Sequence, residues 1–384
     1  MPVATERRKV SHKSSTPDDR LTIFLICGLS DGLLPVLLQP ILTSNCVRKL
    51  SVFRSTPGPP LPATKYVCPP RRVARFGHLS FAWKAASAWL LAIRLRPSLI
   101  HGLLLVPHGL LAAFIGLTTR TPWGLTLIAG PADYYIADSR SNFVDSNMPP
   151  PLLGRVLLRL CTHAAVVGVL NSATLEFLVR HGVEPNRIAL LCDPVDTDHY
   201  RPTGSPKRYD LISVSRLAAV KQVETVLRVT AALRPRFPGI STAIVGDGSL
   251  LPALRAHAKE LGVDGCVHFL GHRTDVPELL NASRVFLMTS EREGGPMSLL
   301  EAMACGIPPV TSNCGIVPDL CTHGQNAWVV EDWRDVAAFC EGAAALLTDP
   351  VLYRRMSLAA RRTAETQTLE RAARAWAEVL ERLV

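Results

Sequence analysis

From Leu21 onward the chain alternates two kinds of apolar pattern. Short continuous runs, LTIFLIC (21–27), LTLIA (125–129), AVVGVL (165–170) and IALLC (188–192), have the length of strands. Between them, near 80–94, 109–118, 150–161 and 173–181, apolar positions recur every three or four residues, which predicts helices. Continuous rather than alternating apolar strands have both faces covered, as in a parallel α/β sheet. The polar, turn-rich stretch DPVDTDHYRPTGSPKR (193–208) breaks this rhythm and reads as a linker. A second series follows. Its strands are YDLISVS (209–215), STAIVG (241–246), CVHFLG (266–271), RVFLMTS (284–290) and PPVTS (308–312). Its helices lie near 219–234, 249–262, 297–305 and 333–347, with two more helical patterns to the end of the chain. Two α/β domains, 21–198 and 199–364, leave a cleft between them, and such sheets bind ligands at the carboxyl ends of their strands.

Three segments do not fit a simple alternation. Residues 1–20 are polar and lack periodicity, as expected of a disordered tail. The apolar stretch after Arg20 is interrupted by Asp31, Pro35 and Pro40, too soon for a membrane span of roughly 20 residues. It predicts a buried strand, a loop and a helix, and 98–117 likewise predicts a core strand followed by a helix. Residues 55–72 hold six prolines and read as a long loop.

Composition sharpens this outline. With 48% apolar residues in 384, global disorder is excluded. The net charge of +10 is unevenly placed: no acid occurs between Asp31 and Asp133, while eleven Lys/Arg do. Such a block attracts anions, either nucleic acid or an anionic membrane surface. Nucleic acid is disfavoured, because no reading motif or aromatic interleaving accompanies the charge. Ten cysteines without CxxC or Cys/His ligand spacing argue against zinc and suggest reduced thiols in the cytosol.

The chemistry concentrates in SEREGGPMSLLEAMACGIPPVTS (290–312). Glu293 and Glu301 flank a Gly294-Gly295-Pro296 turn that opens a helix at Met297-Ser298-Leu299. Gly306 and two prolines close it. A helix that begins after a glycine loop presents free N–H groups and a positive dipole end, which suits phosphate. Like charges keep the glutamates off the phosphate, so they are placed to accept from hydroxyls on either side of it. Arg216 and Lys221, at the end of the second domain's first strand, supply cations for a diphosphate without a metal.

These segments, in their order, resemble glycosyltransferase family 4, retaining enzymes of the GT-B fold. VSRLAAVKQVETVL resembles the family's Arg-and-Lys strand-to-helix segment, and AIVGDGSLLPAL its Val-Gly-Asp-Gly turn. EGGPMSLLEAMACGIPPV resembles its paired-glutamate signature. The likeness runs from about residue 160 to 350. It implies two Rossmann-like domains facing a cleft: 21–198 for the acceptor, 199–364 for a nucleotide sugar, with a terminal helix (365–384) crossing back. By position it implies diphosphate contacts at Arg216 and Lys221, ribose hydroxyls at Glu301, and a reacting-sugar hydroxyl at Glu293. Backbone amides from Gly294 to Leu299 would hold sugar and phosphate. Gly246 lies in the supporting turn, and the backbone near Leu270, Gly271 and His272 would face the base. On the acceptor side Gly28, Gly32, His101, His108 and Asp133 are the candidates. The family's His-Gly pair at the end of a first-domain strand is replaced here by Ala129-Gly130. The expectation is a metal-independent transferase with no cofactor beyond a UDP- or GDP-sugar substrate. It would work on a glycan or lipid-linked acceptor, in the cytoplasm or at the inner face of the membrane. A sugar-nucleotide-binding protein without transfer chemistry, or a retaining glycoside hydrolase with two carboxylates, are the rival readings.

Overall fold

The computed structural model describes residues 20–29, 32–68, 77–128 and 152–383. The first sheet has strands β1 (Leu21–Ile26), β2 (Val47–Phe53), β3 (Thr64–Val67), β4 (Leu99–Leu103), β5 (Trp123–Leu127), β6 (Val166–Val169) and β7 (Ile188–Leu190). They lie in the order β3-β2-β1-β4-β5-β6-β7, all parallel. Its helices are α1 (Leu33–Thr43), α2 (Gly77–Leu95), α3 (Leu110–Thr119), α4 (Leu152–Cys161) and α5 (Ser172–Arg180). The second sheet has β8 (Tyr209–Val214), β9 (Thr242–Val245), β10 (Val267–Gly271), β11 (Ser283–Met288), β12 (Pro309–Ser312) and β13 (Trp328–Val330). Their order is β10-β9-β8-β11-β12-β13, again parallel. Its helices are α6 (Val223–Leu233), α7 (Leu251–Glu260), α8 (Val276–Asn281), α9 (Met297–Ala304), α10 (Val317–Leu320), α11 (Val336–Thr348) and α12 (Pro350–Glu365). A further helix, α13 (Leu369–Leu380), follows them.

Both sheets bury both faces, which is why their strands read as unbroken apolar runs. In β1, Phe24 and Ile26 point into the layer formed by α2, α3, α4 and α5. Ile23 and Leu25 point the other way, toward α1 and α13. The 55–72 stretch, expected to be loop, contains the edge strand β3. Its prolines flank Thr64–Val67 rather than enter it, so the strand keeps its N–H groups for pairing with β2. The polar stretch 1–20 lies outside the described residues except for Arg20.

The chain crosses between the sheets twice, and the crossings touch. The N–H of Val195, outbound, donates to the carbonyl of Gln367, inbound, at 2.9 Å. Arg361 on α12 pins the outbound segment from the other side. Its guanidinium donates to the carbonyls of Thr197 (3.2 Å), Tyr200 (2.8 Å) and Ala304 (2.6 Å). The Ala304 carbonyl is an unpaired group at the C-terminal end of α9, where a cation is favoured. After the return, Thr368 caps α13 by accepting from the Arg371 N–H. Ala372, Trp376, Val379 and Leu380 then form one buried stripe against α1 and β7.

Trp376 is the largest member of that stripe and only 5% exposed. Trp376→Ala is expected to destabilise the protein by about 3–5 kcal/mol, measured as a lower urea midpoint. An unchanged midpoint would contradict this account of how α13 is held.

Candidate functional site

The loop after β11 is fastened to the loop after β8 before any ligand is considered. The Thr289 hydroxyl donates to the carbonyls of Lys221 (3.2 Å) and Gln222 (2.9 Å). The Glu291 N–H donates to the Val220 carbonyl at 2.9 Å. Lys221 Nζ then donates to Glu293 Oε1 at 2.5 Å, and the Ser290 hydroxyl reaches the same oxygen at 2.7 Å. Both charges are mostly shielded, at 17% and 11% exposure, so the ion pair is screened less than a surface pair. Gly315, at φ +61°, lies under this loop. A Cβ there would sit 2.7 Å from the Glu293 carbonyl oxygen, so only glycine fits without a shift.

Beyond Glu293 the backbone turns into α9. Pro296 stands just before the helix in an extended conformation (φ −74°, ψ 97°). Among the described residues, the N–H groups of Gly294, Gly295, Met297 and Ser298 have no hydrogen-bond acceptor. At the other end Gly306 (φ +70°) closes the helix, with the Ile307 N–H donating to the Ala302 carbonyl at 2.9 Å.

Arg216 stands just past the end of β8. It is exposed, and its side chain has no partner among the described residues. The Gly246–Gly248 turn sets its backbone. A Cβ on Gly246 (φ +130°) would fall 1.9 Å from the Ser215 carbonyl oxygen, and one on Gly248 would fall 2.3 Å from that of Leu217. The Leu217 N–H donates to the Asp247 carbonyl, and the Gly246 N–H to that of Gly271. Gly246 and the Leu270–His272 strand end are therefore neighbours, with His272 exposed beside them.

Glu301 lies apart from Glu293. Its carboxyl is partly covered, and burial raises its pKa from 4.5 to about 7, which the Tyr200 hydroxyl beside it partly offsets. Tyr200, from the crossover, was not singled out in the sequence. Its phenol is pushed up by burial and then by the Glu301 charge. The one Asp-x-Asp run, Asp196-Thr197-Asp198, shapes a turn: Asp196 Oδ1 accepts from the N–H groups of Asp198 (3.0 Å) and His199 (2.9 Å).

The first-domain candidates divide. Gly28 and His108 meet: a Cβ on Gly28 would lie 2.9 Å from the imidazole. Together with Arg54, Ser55 and Lys84 they line a cavity of about 120 Å³. His108 Nδ1 lies 2.9 Å from the Leu103 carbonyl. A carbonyl only accepts, so Nδ1 carries the proton and Nε2 keeps its lone pair toward Gly28. Burial lowers the His108 pKa, which keeps the ring neutral. His101 is in the sheet interior, between the Thr126 hydroxyl (2.8 Å) and the Trp376 ring (5.4 Å between centroids). Burial drops its pKa to about 3. Its position makes it a packing residue rather than a member of the cavity. Gly32 sits before α1 with open space around it and an ordinary φ of −72°. Asp133, Ala129 and Gly130 lie outside the described residues.

The two domains touch beside the glycine loop. Asn171 caps α5 by accepting from the Thr174 N–H (2.9 Å), and its amide donates to the Gly294 carbonyl (3.3 Å). The Ser172 N–H donates to Asp319 Oδ2 at 2.7 Å, and its hydroxyl to Oδ1. Gly295 lies over Asp193, whose Oδ2 would be 2.0 Å from any Cβ added there. Asp193 is buried, its Oδ1 has no partner, and burial raises its pKa from 3.8 to about 7. Asn171 carries a sequence signal, as a cap residue between strand and helix. Asp193 and Asp319 carry none, since their roles depend on the other domain.

The chain is similar to known proteins in sequence and in fold. Residues 196–363 match the family model of glycosyl transferases group 1. N-acetyl-alpha-D-glucosaminyl L-malate synthase of Bacillus anthracis is 33% identical over 157 residues, 41% of this chain and 41% of that protein. A GDP-mannose-dependent alpha-(1-6)-phosphatidylinositol monomannoside mannosyltransferase of Mycobacterium tuberculosis is 30% identical over 219 residues, 52% of this chain and 57% of that protein. The chain spans about half the length of the curated relatives it matches. Among solved structures, Anabaena HepE in complex with UDP-glucose superposes with a TM-score of 0.74 at 17% identity. The match covers 94% of this chain and 100% of that one. Sucrose-phosphate synthase from Thermosynechococcus elongatus gives 0.73 at 16%, covering 92% and 96%. At these identities the likeness is one of fold, the two-domain GT-B architecture.

Asp193 yields a pH prediction. Between 3.8 and about 7 the folded protein holds a proton that the unfolded chain has released. That contribution to stability is full below 3.8 and is lost as pH rises through 7. Asp193→Asn removes the loss, so its melting temperature relative to wild type is expected to be several degrees more favourable at pH 8 than at pH 5, a change of about 2–3 kcal/mol. A difference that does not vary with pH would show that Asp193 is ionised in the folded protein.

Proposed function

We propose that the chain is a retaining glycosyltransferase that moves a sugar from a nucleotide-sugar donor to a glycan or lipid-linked acceptor. One observation carries this reading. Four unpaired backbone N–H groups, at Gly294, Gly295, Met297 and Ser298, open the second domain's α9, with Lys221 bonded to their loop and Arg216 unpaired. Donors without acceptors, with Lys221 held at the same loop, suit a diphosphate, and Arg216 is assigned to it as the second cation. The matched family model, the relatives named for sugar transfer and the HepE complex with UDP-glucose support it.

In this reading the diphosphate rests on the α9 amides, Arg216 and Lys221, with no metal required. Glu301 accepts from the ribose hydroxyls, and Glu293, held by Lys221 and Ser290, accepts from a hydroxyl of the reacting sugar. The base lies along Leu270–His272. The acceptor enters from the first domain, where Gly28 and His108 border a cavity. The bond from the anomeric carbon to phosphate breaks as the acceptor oxygen bonds on the same face. The departing phosphate oxygen takes the acceptor's proton, and the cations and amides hold the charge that develops. Closure of the cleft excludes water that would otherwise hydrolyse the donor.

Calorimetry with UDP, GDP and their sugars tests donor binding, and failure of all of them to bind would refute the reading. Arg216→Ala and Lys221→Ala are each expected to lower turnover roughly hundredfold. Full activity in either would remove that residue from the site. Glu301 adds a pH signature. Ribose hydroxyls donate to the carboxylate form, so binding must expel the proton that the group holds below about 7. Nucleotide affinity is expected to fall as pH drops from 8 to 6, approaching tenfold per unit, and to be weak and nearly flat in Glu301→Gln. A wild-type profile without slope would exclude Glu301 from the ribose site.

A further inference from the structure

Eleven large apolar side chains are well exposed among the described residues, and seven of them lie on one layer, α2 to α5. Three pairs stand out at helical spacing: Leu90 and Ile93 on α2, Phe114 and Leu117 on α3, Leu152 and Val156 on α4. Their exposures run from 43% to 71%, and Val179 on α5 adds 37%. The inward faces of the same helices are fully packed, through Ala88 and Ala92, Ala112 and Ile115, Leu157 and Leu158. The outward apolar positions are therefore surplus to the core. Trp89 on α2 donates to the Thr118 hydroxyl of α3 at 3.0 Å, which holds these two helices side by side.

The charge on α2, α3 and α4 has one sign, whereas α5 carries an exposed Glu176 and an exposed Arg180. Helices α2, α3 and α4 contain no Asp or Glu, and Arg94, Arg155 and Arg159 are exposed there. Between α4 and α5 lies a groove of about 530 Å³, lined by Arg155, Val156, Arg159, His163 and His181 among others, with no acid. No single helix among the described residues is long and apolar enough to cross a bilayer.

We propose that the outer face of α2–α4 docks on an anionic phospholipid bilayer, with the apolar pairs entering the interface and the arginines meeting the headgroups. Aliphatic and aromatic side chains flanked by arginine suit that boundary. A second copy of the chain is a poorer fit, because it would set these arginines against their own images. A single peptide is also a poorer fit, because the apolar pairs are spread over three helices. The same α2 that carries Leu90 and Ile93 also brings Lys84 to the His108 cavity. If the sugar-transfer reading holds, a lipid-linked acceptor would thus reach the cavity without leaving the membrane. The docking itself does not need that reading, and its test contains no sugar nucleotide, so either can fail alone.

The test is flotation of the full chain with vesicles of phosphatidylglycerol and phosphatidylcholine, at low and high salt, against vesicles of phosphatidylcholine alone. Expected are co-flotation with the anionic vesicles, weakening with salt, and little with neutral ones. Leu152→Glu/Val156→Glu and, separately, Arg155→Glu/Arg159→Glu are expected to lower partitioning by roughly tenfold or more. Unchanged melting temperatures would show that the variants remain folded. No flotation at low salt, equal flotation with neutral vesicles, or folded variants that bind like wild type would overturn the proposal. So would a concentration-dependent dimer, seen by light scattering, that the Leu152→Glu/Val156→Glu variant abolishes, since the face would then belong to a second copy.

Discussion

The second domain depends on one joint, where the loop after β11 is laced to the loop after β8. Thr289, Glu291 and Glu293 each bond to Val220, Lys221 or Gln222. The joint positions Lys221, and it draws Glu293 Oε1 into a fixed pose. It also leaves the amides of Gly294, Gly295, Met297 and Ser298 without a protein acceptor. Four oriented donors cost little to reorganise when an anion arrives, which is the physical meaning of a preorganised site. The tight glycine contacts at Gly246, Gly248 and Gly315 belong to the same design, since each lets one backbone strand pass directly over another's carbonyl.

The two domains meet beside the site through a small set of polar contacts. Their contact beside the site consists of Asn171 and Ser172 on one side and Gly294 and Asp319 on the other, with Asp193 beneath Gly295. Most of these bonds are polar, as in interfaces that open and close. The paired crossovers are tied more firmly: Arg361 holds three carbonyls at once, and the Val195 N–H meets the Gln367 carbonyl.

Much of this was legible in the sequence, for identifiable reasons. Strands such as LTIFLI and VFLM are unbroken apolar runs because helices cover both sheet faces, and that pattern survives in one dimension. The α9 segment was legible because a glycine pair, a proline and a closing glycine punctuate it. Edge strand β3 was not, since TKYV is short, half-covered and hemmed by prolines. His101 and His108 look alike in sequence, seven residues apart. Only the sheet separates them, sending one into the core against Trp376 and the other to Gly28. Arg361 and Tyr200 were invisible for a related reason: what each touches comes from another segment of the fold.

The placement of α13 also bears on how the protein is made. It covers α1 and the outer side of β1, yet it leaves the ribosome only after the whole second domain. Until Leu380 has emerged, the amino-terminal half waits with Ile23, Leu25 and Leu34 unprotected on that side. Nascent chains in that condition are targets for chaperones and for one another. Vectorial synthesis thus leaves the first of the two domains to be completed by a helix made after the second.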